Sequence, residues 1–256
     1  RREGRRRNGR YEDPRSHAAN QSADRHDNSR FDASEAVCMT VYLFPSITPA
    51  SSTFELVTNT RTFQSPLTNA VQTVQRKGSL WKASLQFNNL SGNNRAEMQA
   101  FLTKLNGQTH RFYLYDHAAT KRGVAPSNPA DTLLINGAGQ TGSILLADGA
   151  TASQTGYLRP GDYIAFNNEL HMVTEDVDSK SDGTLEFDKP NSDGTTTTTA
   201  GIPVAPPIRK PTVNDQAIDY LQPVFGVFML ASSASWDTQP GIVSSFTIEA
   251  VEDVLA

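Results

Sequence analysis

The apolar residues of this chain recur in short runs separated by turn residues, and this pattern constrains the fold more than any other feature. The clearest run covers residues 80–87, where apolar positions alternate with polar ones: Trp81, Ala83, Leu85 and Phe87. An alternation of period two is typical of a β-strand with one buried face. Comparable short runs follow one another along most of the sequence, so we predict a mainly β protein.

One segment has the spacing of a helix instead. Its apolar residues recur at positions i, i+3, i+4 and i+7: Met98, Phe101, Leu102 and Leu105. This stripe is typical of an amphipathic helix with one buried face. Ser91 or Asn93 can cap its start, and Gly107 can end it in a left-handed conformation. We therefore predict one helix that flanks the strands.

The first 38 residues differ in composition from the remaining 218. Nine arginines against seven acids give residues 1–38 a charge of +2, and they contain no Leu or Ile. Fourteen basic and twenty acidic residues give the remainder a charge of −6. The first part cannot bury enough apolar surface to offset its ordering entropy. We expect a disordered arm or an upstream extension before Met39; an arginine arm that grips nucleic acid or a neighbouring subunit is the alternative.

The rest of the chain divides by its turn content. Between residues 117 and 220, glycine, proline and polar turn residues separate five or six short strand runs, which is typical of a small β-barrel. Threonines 195–199 are interpreted as a loop tip, and prolines 203–211 as a stiff exit. The predicted strands before residue 116 and after residue 220 resemble each other in length and apolar content. We therefore predict a discontinuous domain of residues 39–116 plus 221–256, interrupted by an inserted barrel at 117–220.

Two motifs resemble ligand-binding loops, and both are better explained as turns. Residues 137–142 (GAGQTG) match the dinucleotide-binding pattern, but that site needs a helix at the third glycine, and Asp148 and Gly149 end the next run too early. Asp176 and Asp178 begin a spacing similar to a calcium loop, but Phe187 occupies the position of its final glutamate. We interpret the first as a glycine-rich β-turn and the second as a solvated hairpin.

Other catalytic and metal-binding patterns fail in the same way. The single cysteine, Cys38, cannot form a disulfide framework or a four-thiolate zinc site. No histidine pair has helical metal spacing, and no nucleophile elbow occurs. Glu169 and Asp188 could pair in space as hydrolase carboxylates, but surface charge is the simpler interpretation. We therefore predict no enzyme, no cofactor and no metal.

The same reasoning limits the partners of the chain. No run of 18 apolar residues exists, so we predict no membrane insertion. A net charge of −4 argues against a domain that binds duplex DNA. Aromatic residues at 110–115 could stack on a base or sugar, although strand alternation would place half of them in the core.

With no active site in view, an assembly role is the favoured interpretation. Aromatic residues are enriched at protein–protein interfaces. Four of them are candidate interface anchors, each with ordinary core packing as its alternative: Phe63, Trp81, Tyr157 and Trp236.

Several segments resemble a known family. Residues 59–67 (NTRTFQSPL), 71–75 (VQTVQ) and 78–81 (GSLW) resemble the N-terminal part of distal tail proteins from long-tailed, siphovirus-type bacteriophages. The family's helix and following strand are similar to two further segments, residues 100–107 and 111–116. Its closing part is similar to residues 228–231, Trp236 and residues 246–252.

The resemblance implies a tail-tube-like β-sandwich with one flanking helix, interrupted by a small barrel of oligonucleotide/oligosaccharide-binding type. It implies a homohexameric ring at the distal end of the virion tail, made in the host cytoplasm, that joins the tail-tube protein to the tail-tip hub protein. DNA would pass through the channel without specific binding, for which an acidic body is suited. A carbohydrate-binding tail-tip module for host glycans and a tail-tube subunit are the alternatives.

Overall fold

Strands account for most of the regular structure of this chain. We describe it from a computed structural model, which covers residues 39–120, 122–123, 131–221, 223–232, 234–240 and 242–253. Among these residues there are eighteen strands and one helix, so the prediction of a mainly β protein is confirmed. The predicted arm, residues 1–38, lies outside the described residues.

The elements fall into three consecutive groups along the chain. The first comprises β1 (Val41–Leu43), β2 (Ser51–Val57), β3 (Thr60–Gln64), β4 (Val71–Gln75), β5 (Leu80–Leu90), α1 (Gly92–Lys104) and β6 (Arg111–Leu114). The second comprises β7 (Leu134–Ile135), β8 (Gly142–Leu145), β9 (Ala147–Asp148), β10 (Tyr163–Phe166), β11 (Glu169–Val173), β12 (Val177–Ser179), β13 (Leu185–Pro190), β14 (Thr196–Ala200) and β15 (Ile202–Ile208). The third comprises β16 (Gly226–Leu230), β17 (Ser235–Gln239) and β18 (Val243–Glu252).

The largest sheet combines strands from the two ends of the described chain. Its order is β1-β6-β16-β18-β5-β2, with β17 added beside β18. The pair β1–β6 is parallel and the other pairs are antiparallel. Alternate residues of β5 are buried, as their period predicts, and they pack in one hydrophobic cluster with aromatic residues of the neighbouring strands: Phe112, Phe228 and Phe246.

The predicted helix covers one side of this cluster. Its N-cap is Ser91, and the predicted stripe is buried at all four positions: Met98, Phe101, Leu102 and Leu105. Asn106 follows the C-cap with a φ of 48°, and Gly107 has a φ of 64°. The helix therefore ends in two left-handed residues, one before the predicted glycine as well as the glycine itself. At thirteen residues, this helix, the one found among the described residues, is too short to cross a bilayer.

The middle of the chain builds several smaller sheets. One has the order β10-β11-β15-β8, another β12-β13-β14, and β7 pairs with β9. Most of their buried residues form a second hydrophobic cluster, with large members at Tyr157, Phe166 and Phe187. Three buried residues of the middle segment, Tyr163, Ala165 and Leu170, pack instead in the first cluster.

Two segments that were predicted as irregular form strands. The threonine run predicted as a loop tip lies largely in β14, where Thr198 pairs with Asp188 across the ladder. Threonine is β-branched and suits a pleated strand, so this prediction was wrong for a local reason. The proline segment predicted as a stiff exit begins in β15, where Val204 and Ala205 pair with Val173 and Met172 of β11. Proline lacks an N–H, but its carbonyl oxygen still accepts, and Pro203 O accepts from Thr174 N.

The glycine-rich motif at residues 137–142 lies between β7 and β8. Gly137, Gly139 and Gly142 have positive φ angles, and a strand follows. The motif is therefore a glycine-rich loop that leads into a strand and not into the helix that a dinucleotide-binding site needs. The acidic motif at residues 176–183 runs through β12 into a turn where Asp182 Oδ1 accepts hydrogen bonds from Thr184, so it forms the predicted hairpin.

Candidate assembly surface

The four aromatic residues predicted as interface anchors occupy two different environments. Phe63 is 54% exposed and Trp236 is 42% exposed. Trp81 and Tyr157 are 5% and 1% exposed, so they are core residues of this chain and do not present a surface to a partner. Trp81 donates its indole hydrogen to Leu170 O at 2.8 Å. The Tyr157 hydroxyl donates to Asp131 at 2.9 Å, and burial together with this bond raises the pKa of Tyr157.

Phe63 lies on a hairpin formed by β3 and β4. Among the described strands, these two pair only with each other, and all ten of their residues are exposed. The pairing places Phe63 opposite Gln72 and Arg61 opposite Val74, so Phe63 and Val74 share one face. Two further apolar side chains are exposed on the same hairpin, Leu67 and Val71.

The β3–β4 hairpin has the features of a protein–protein contact site. A two-stranded hairpin alone is at best marginally stable in water, and exposed apolar clusters mark interaction sites. Asn59 holds its base, since Asn59 O accepts from Arg76 N and its side-chain amide donates to Lys77 O. Gly78, with a φ of 108°, completes the turn into β5, a backbone conformation that glycine adopts without strain. Hydrogen bonds therefore fix the base of the hairpin, while its apolar face is exposed to solvent.

A second exposed hairpin is formed by β17 and the start of β18. All five residues of β17 are exposed, and the Trp236 ring lies 6.1 Å from the Phe246 ring at the margin of the first hydrophobic cluster. In the connecting turn, Ile242 is 65% exposed with a φ of 60°. A β-branched residue in this backbone region is a genuine outlier and carries strain. The turn thus presents an apolar side chain at a conformational cost.

The two hairpins lie at opposite ends of β5. At its start, Leu80 pairs with Val57, the last residue of β2, which two residues separate from the β3–β4 hairpin. At its end, Leu90 pairs with Ser244, beside the β17–β18 turn. Eleven residues of strand separate these ends by about 33 Å. The chain therefore carries two different apolar patches at opposite ends of one strand of the large sheet.

The charges of these two patches also differ. Residues 58–79, which contain the first hairpin, include Arg61, Arg76 and Lys77 and no acid. Residues 211–256 contain no lysine or arginine, and Asp237 lies on β17 itself. The cations of the first hairpin and Asp237 of the second are opposite in sign, which favours contact between unlike ends of two copies.

A buried charge network supports the base of the first hairpin. Glu252 accepts a two-pronged contact from the Arg209 guanidinium at 2.8 and 3.0 Å. The same carboxylate accepts from Trp81 N at 3.1 Å and from Leu170 N at 2.9 Å. Arg209 also donates to Ser79 O at 2.6 Å. The start of β5 is therefore tied to both β18 and the middle segment.

Glu169 and His171 extend this network, and both are fully buried. Glu169 lies 3.4 Å from Arg209 Nε and 3.4 Å from His171 Nε2, close enough for ion-pair contact but without hydrogen-bond alignment. Burial alone would raise the pKa of the Glu169 carboxyl. The contact with His171 and the charge of Arg209 outweigh burial and hold that pKa below its ordinary value.

The carboxylates considered for hydrolase chemistry take different roles. Glu169 belongs to the buried network, whereas Asp188 is exposed on β13 and accepts from the Thr198 hydroxyl at 2.8 Å. The network itself was not predicted, because its acids and Arg209 are separated by at least 40 residues in the sequence. Among the described residues, no cluster of three His, Cys, Asp or Glu side chains could hold a metal ion.

Comparison of the chain with models of known protein families gave no match. Comparison with curated protein sequences gave no match either. The exposed hairpins and the sequence segments that resemble tail proteins are therefore the features that bear on the function of this protein.

Proposed function

We propose that this protein is a structural, ring-forming component of a bacteriophage tail. The observation that carries the proposal is the placement of two unlike apolar hairpins at opposite ends of β5. Contacts between different patches of identical subunits are head-to-tail contacts, and they close into rings when the rotation permits. A two-fold dimer would instead use one patch twice. Complementary charge on the two hairpins supports the same arrangement.

The resemblance to distal tail proteins indicates which kind of ring this would be. The segments of the resemblance at residues 59–67 and 71–75 include strands β3 and β4, and its closing part includes Trp236 of β17 and residues 246–252 of β18. In this proposal six copies form an adaptor at the distal end of the tail, between the tail-tube protein and the tip hub. DNA passes through its channel, and the role requires no catalytic group or cofactor.

The proposal includes a finer description of the fold. Residues 39–116 plus 221–256 would form a tail-tube-like β-sandwich with its flanking helix, and residues 117–220 an inserted barrel of oligonucleotide-binding type. The presence of two hydrophobic clusters supports a division of this kind. The buried network around Arg209 would then hold the inserted part against the sandwich, at the base of the assembly hairpin.

The mass of the purified full-length protein in solution tests the ring. We expect light scattering and negative-stain electron microscopy to show six-subunit particles at high protein concentration. Replacing both Phe63 and Val74 by serine removes the apolar face of the hairpin and should give monomers with an unchanged melting temperature. Val213→Ser is the matched control, since Val213 is exposed outside both hairpins.

A map of the intact tail tests the location. One ring at the junction of tube and tip supports the adaptor, whereas many stacked rings would make the chain a tube subunit. Chains found away from this junction would contradict the proposal, as would a double serine variant that assembles like the wild type.

A further inference from the structure

A groove with no part in the proposed assembly surface lies beside the β10–β11 turn. Its volume is about 470 Å³. One side is formed by the large sheet, with Leu43, Tyr113 and Val227, and the other by Asn167, Gln216 and Asp219. The groove thus combines an apolar floor with a polar wall, the combination found in most small-molecule sites.

The floor is a cross-strand row of the large sheet. Tyr113 pairs with Leu43 on β1 and with Val227 on β16, so the three side chains stand on one face. Its neighbour Phe112 is fully buried on the other face. Tyr113 is 37% exposed and Leu43 is 71% exposed. The aromatic stretch at residues 110–115 therefore divides by strand alternation, and the tyrosine ring is left open to a ligand.

The wall is held in a defined shape. Asn167 and Asn168 both have left-handed backbones, with φ angles of 52° and 63°, and form the two-residue turn between β10 and β11. The segment that carries Gln216 and Asp219 is fixed to β10 by two main-chain hydrogen bonds between Ala165 and Asp219. Because this segment already occupies the outer edge of β10, the wall offers side chains and no free strand edge for a peptide.

Within the part of the chain that the structure describes, two polar atoms of this wall have no hydrogen-bond partner. They are Asn167 Nδ2, a donor, and Gln216 Oε1, an acceptor, and each is shielded from solvent. Unsatisfied buried groups of this kind are rare in folded proteins. A ligand group that both accepts and donates, such as a pair of neighbouring hydroxyls, would satisfy them together once the side chains turn toward it.

The charge of the groove narrows the ligand class. Among the described lining residues, Asp219 is the only one with a formally charged side chain. Lys210 Nζ donates to Asn167 O at 3.4 Å but is not among the lining residues, so Asp219 is the charge that a ligand meets in the groove. A carboxylate in this position repels phosphates and acidic sugars. Its oxygens accept hydrogen bonds from hydroxyl groups.

We propose that this groove is a binding site for a neutral saccharide. One apolar face of a sugar ring stacks on Tyr113, while its hydroxyls bond to Asn167, Gln216 and Asp219. The proposal goes beyond the assembly role and does not depend on it, because the groove is complete within one chain.

Saturation-transfer NMR and calorimetry on the purified full-length protein test this assignment. The probes are tetrasaccharides of glucose, galactose and N-acetylglucosamine, with tetragalacturonic acid as the anionic counterpart. We expect at least one neutral tetramer to bind. Tyr113→Ala should weaken its binding about tenfold through loss of stacking, and Gln216→Ala about fivefold through loss of one hydrogen bond.

Leu146→Ala is the control, because it removes an exposed apolar side chain outside the groove. It should bind the same tetramer as the wild type does. If Tyr113→Ala lowers the melting temperature, Gln216→Ala carries the test. The proposal is overturned if no neutral tetramer binds, if both groove variants bind like the control, or if tetragalacturonic acid binds as tightly. None of these results depends on whether the protein forms rings.

Discussion

Glu252 is a buried carboxylate that links β18 to β5 and to the middle segment of the chain. Its two oxygens accept hydrogen bonds from Arg209, Trp81 and Leu170, which belong to three separate parts of the chain. A buried ion pair adds little stability over an apolar pair of the same shape, but removing one partner leaves the other charge buried and uncompensated. The network is therefore a sensitive point of the fold.

Glu252→Gln should lower the free energy of unfolding by about 3 kcal/mol, because Arg209 would lose its closest anion. Urea unfolding followed by circular dichroism measures this change. The matched control is Glu249→Gln, on the same strand but exposed, which should stay within about 0.5 kcal/mol of the wild type. Equal effects of the two substitutions would contradict the role given to Glu252.

The lowered pKa of Glu169 predicts a specific sensitivity to acid. The folded state holds this carboxyl ionised below its ordinary pKa of 4.5, so the folded protein binds fewer protons than the unfolded chain there. The stabilisation is present above pH 4.5 and is lost as the pH falls through the folded-state pKa.

Melting temperatures measured from pH 7 to pH 3 check this dependence. We expect Glu169→Gln to be less stable than the wild type at pH 7 and to lose less stability on acidification. Glu249→Gln again serves as the control and should keep the wild-type slope below pH 4.5. A wild-type slope in Glu169→Gln would show that other carboxyls dominate the acid response.

The strained turn residue Ile242 predicts a gain in stability on substitution. Asparagine tolerates a φ near 60° far better than a β-branched residue does. Ile242→Asn should therefore raise the free energy of unfolding by about 1 kcal/mol, measured by urea unfolding at a concentration where the protein is monomeric. Val213→Asn, at an exposed position outside the positive-φ region, should give no gain. An equal gain in both variants would refute strain as the cause.

At the scale of elements, the spacing of apolar residues predicted the type of each element and its buried face where one face packs against the core. The period-two run of β5 and the helical stripe of α1 are buried on the predicted faces. Two strands that were predicted as irregular structure, β14 and β15, are each rich in one residue type, threonine in β14 and proline in β15. There, pairing with a neighbouring strand decides the structure, and a single segment carries no information about its partner.

The candidate site was predictable only in part, for the same reason. Phe63 and Trp236 were predicted as surface anchors and are exposed, whereas Trp81 and Tyr157 are buried. An aromatic residue in a strand can lie in the core of the chain or in an interface with a partner, and which of the two holds depends on the residues that pack against it. Trp81 is covered by Tyr163, whose ring lies 5.7 Å away and comes from the middle segment. That long-range contact has no signature near either residue.

At the scale of the whole molecule, the two hydrophobic clusters are joined by contacts that neither can form alone. The β10–β11 hairpin contributes to both clusters, with Leu170 in the first and Val173 in the second. Arg209, at the end of β15, bonds to Ser79 at the start of β5. Loss of either cluster would expose this buried charge network to water. The described residues beyond 38 should therefore unfold as one cooperative unit.

Hydrogen exchange measured by mass spectrometry across a urea series tests this coupling. Peptides from β5, which report on the first cluster, and from β13, which report on the second, should lose protection at the same urea concentration. Arg209→Met removes the charged link and should separate the two transitions, whereas Lys189→Met, an exposed cation on β13, should leave them together. Two transitions in the wild type would mean that the clusters are independent. The middle segment would then be a module attached to the large sheet, and its deletion would leave the assembly hairpins intact.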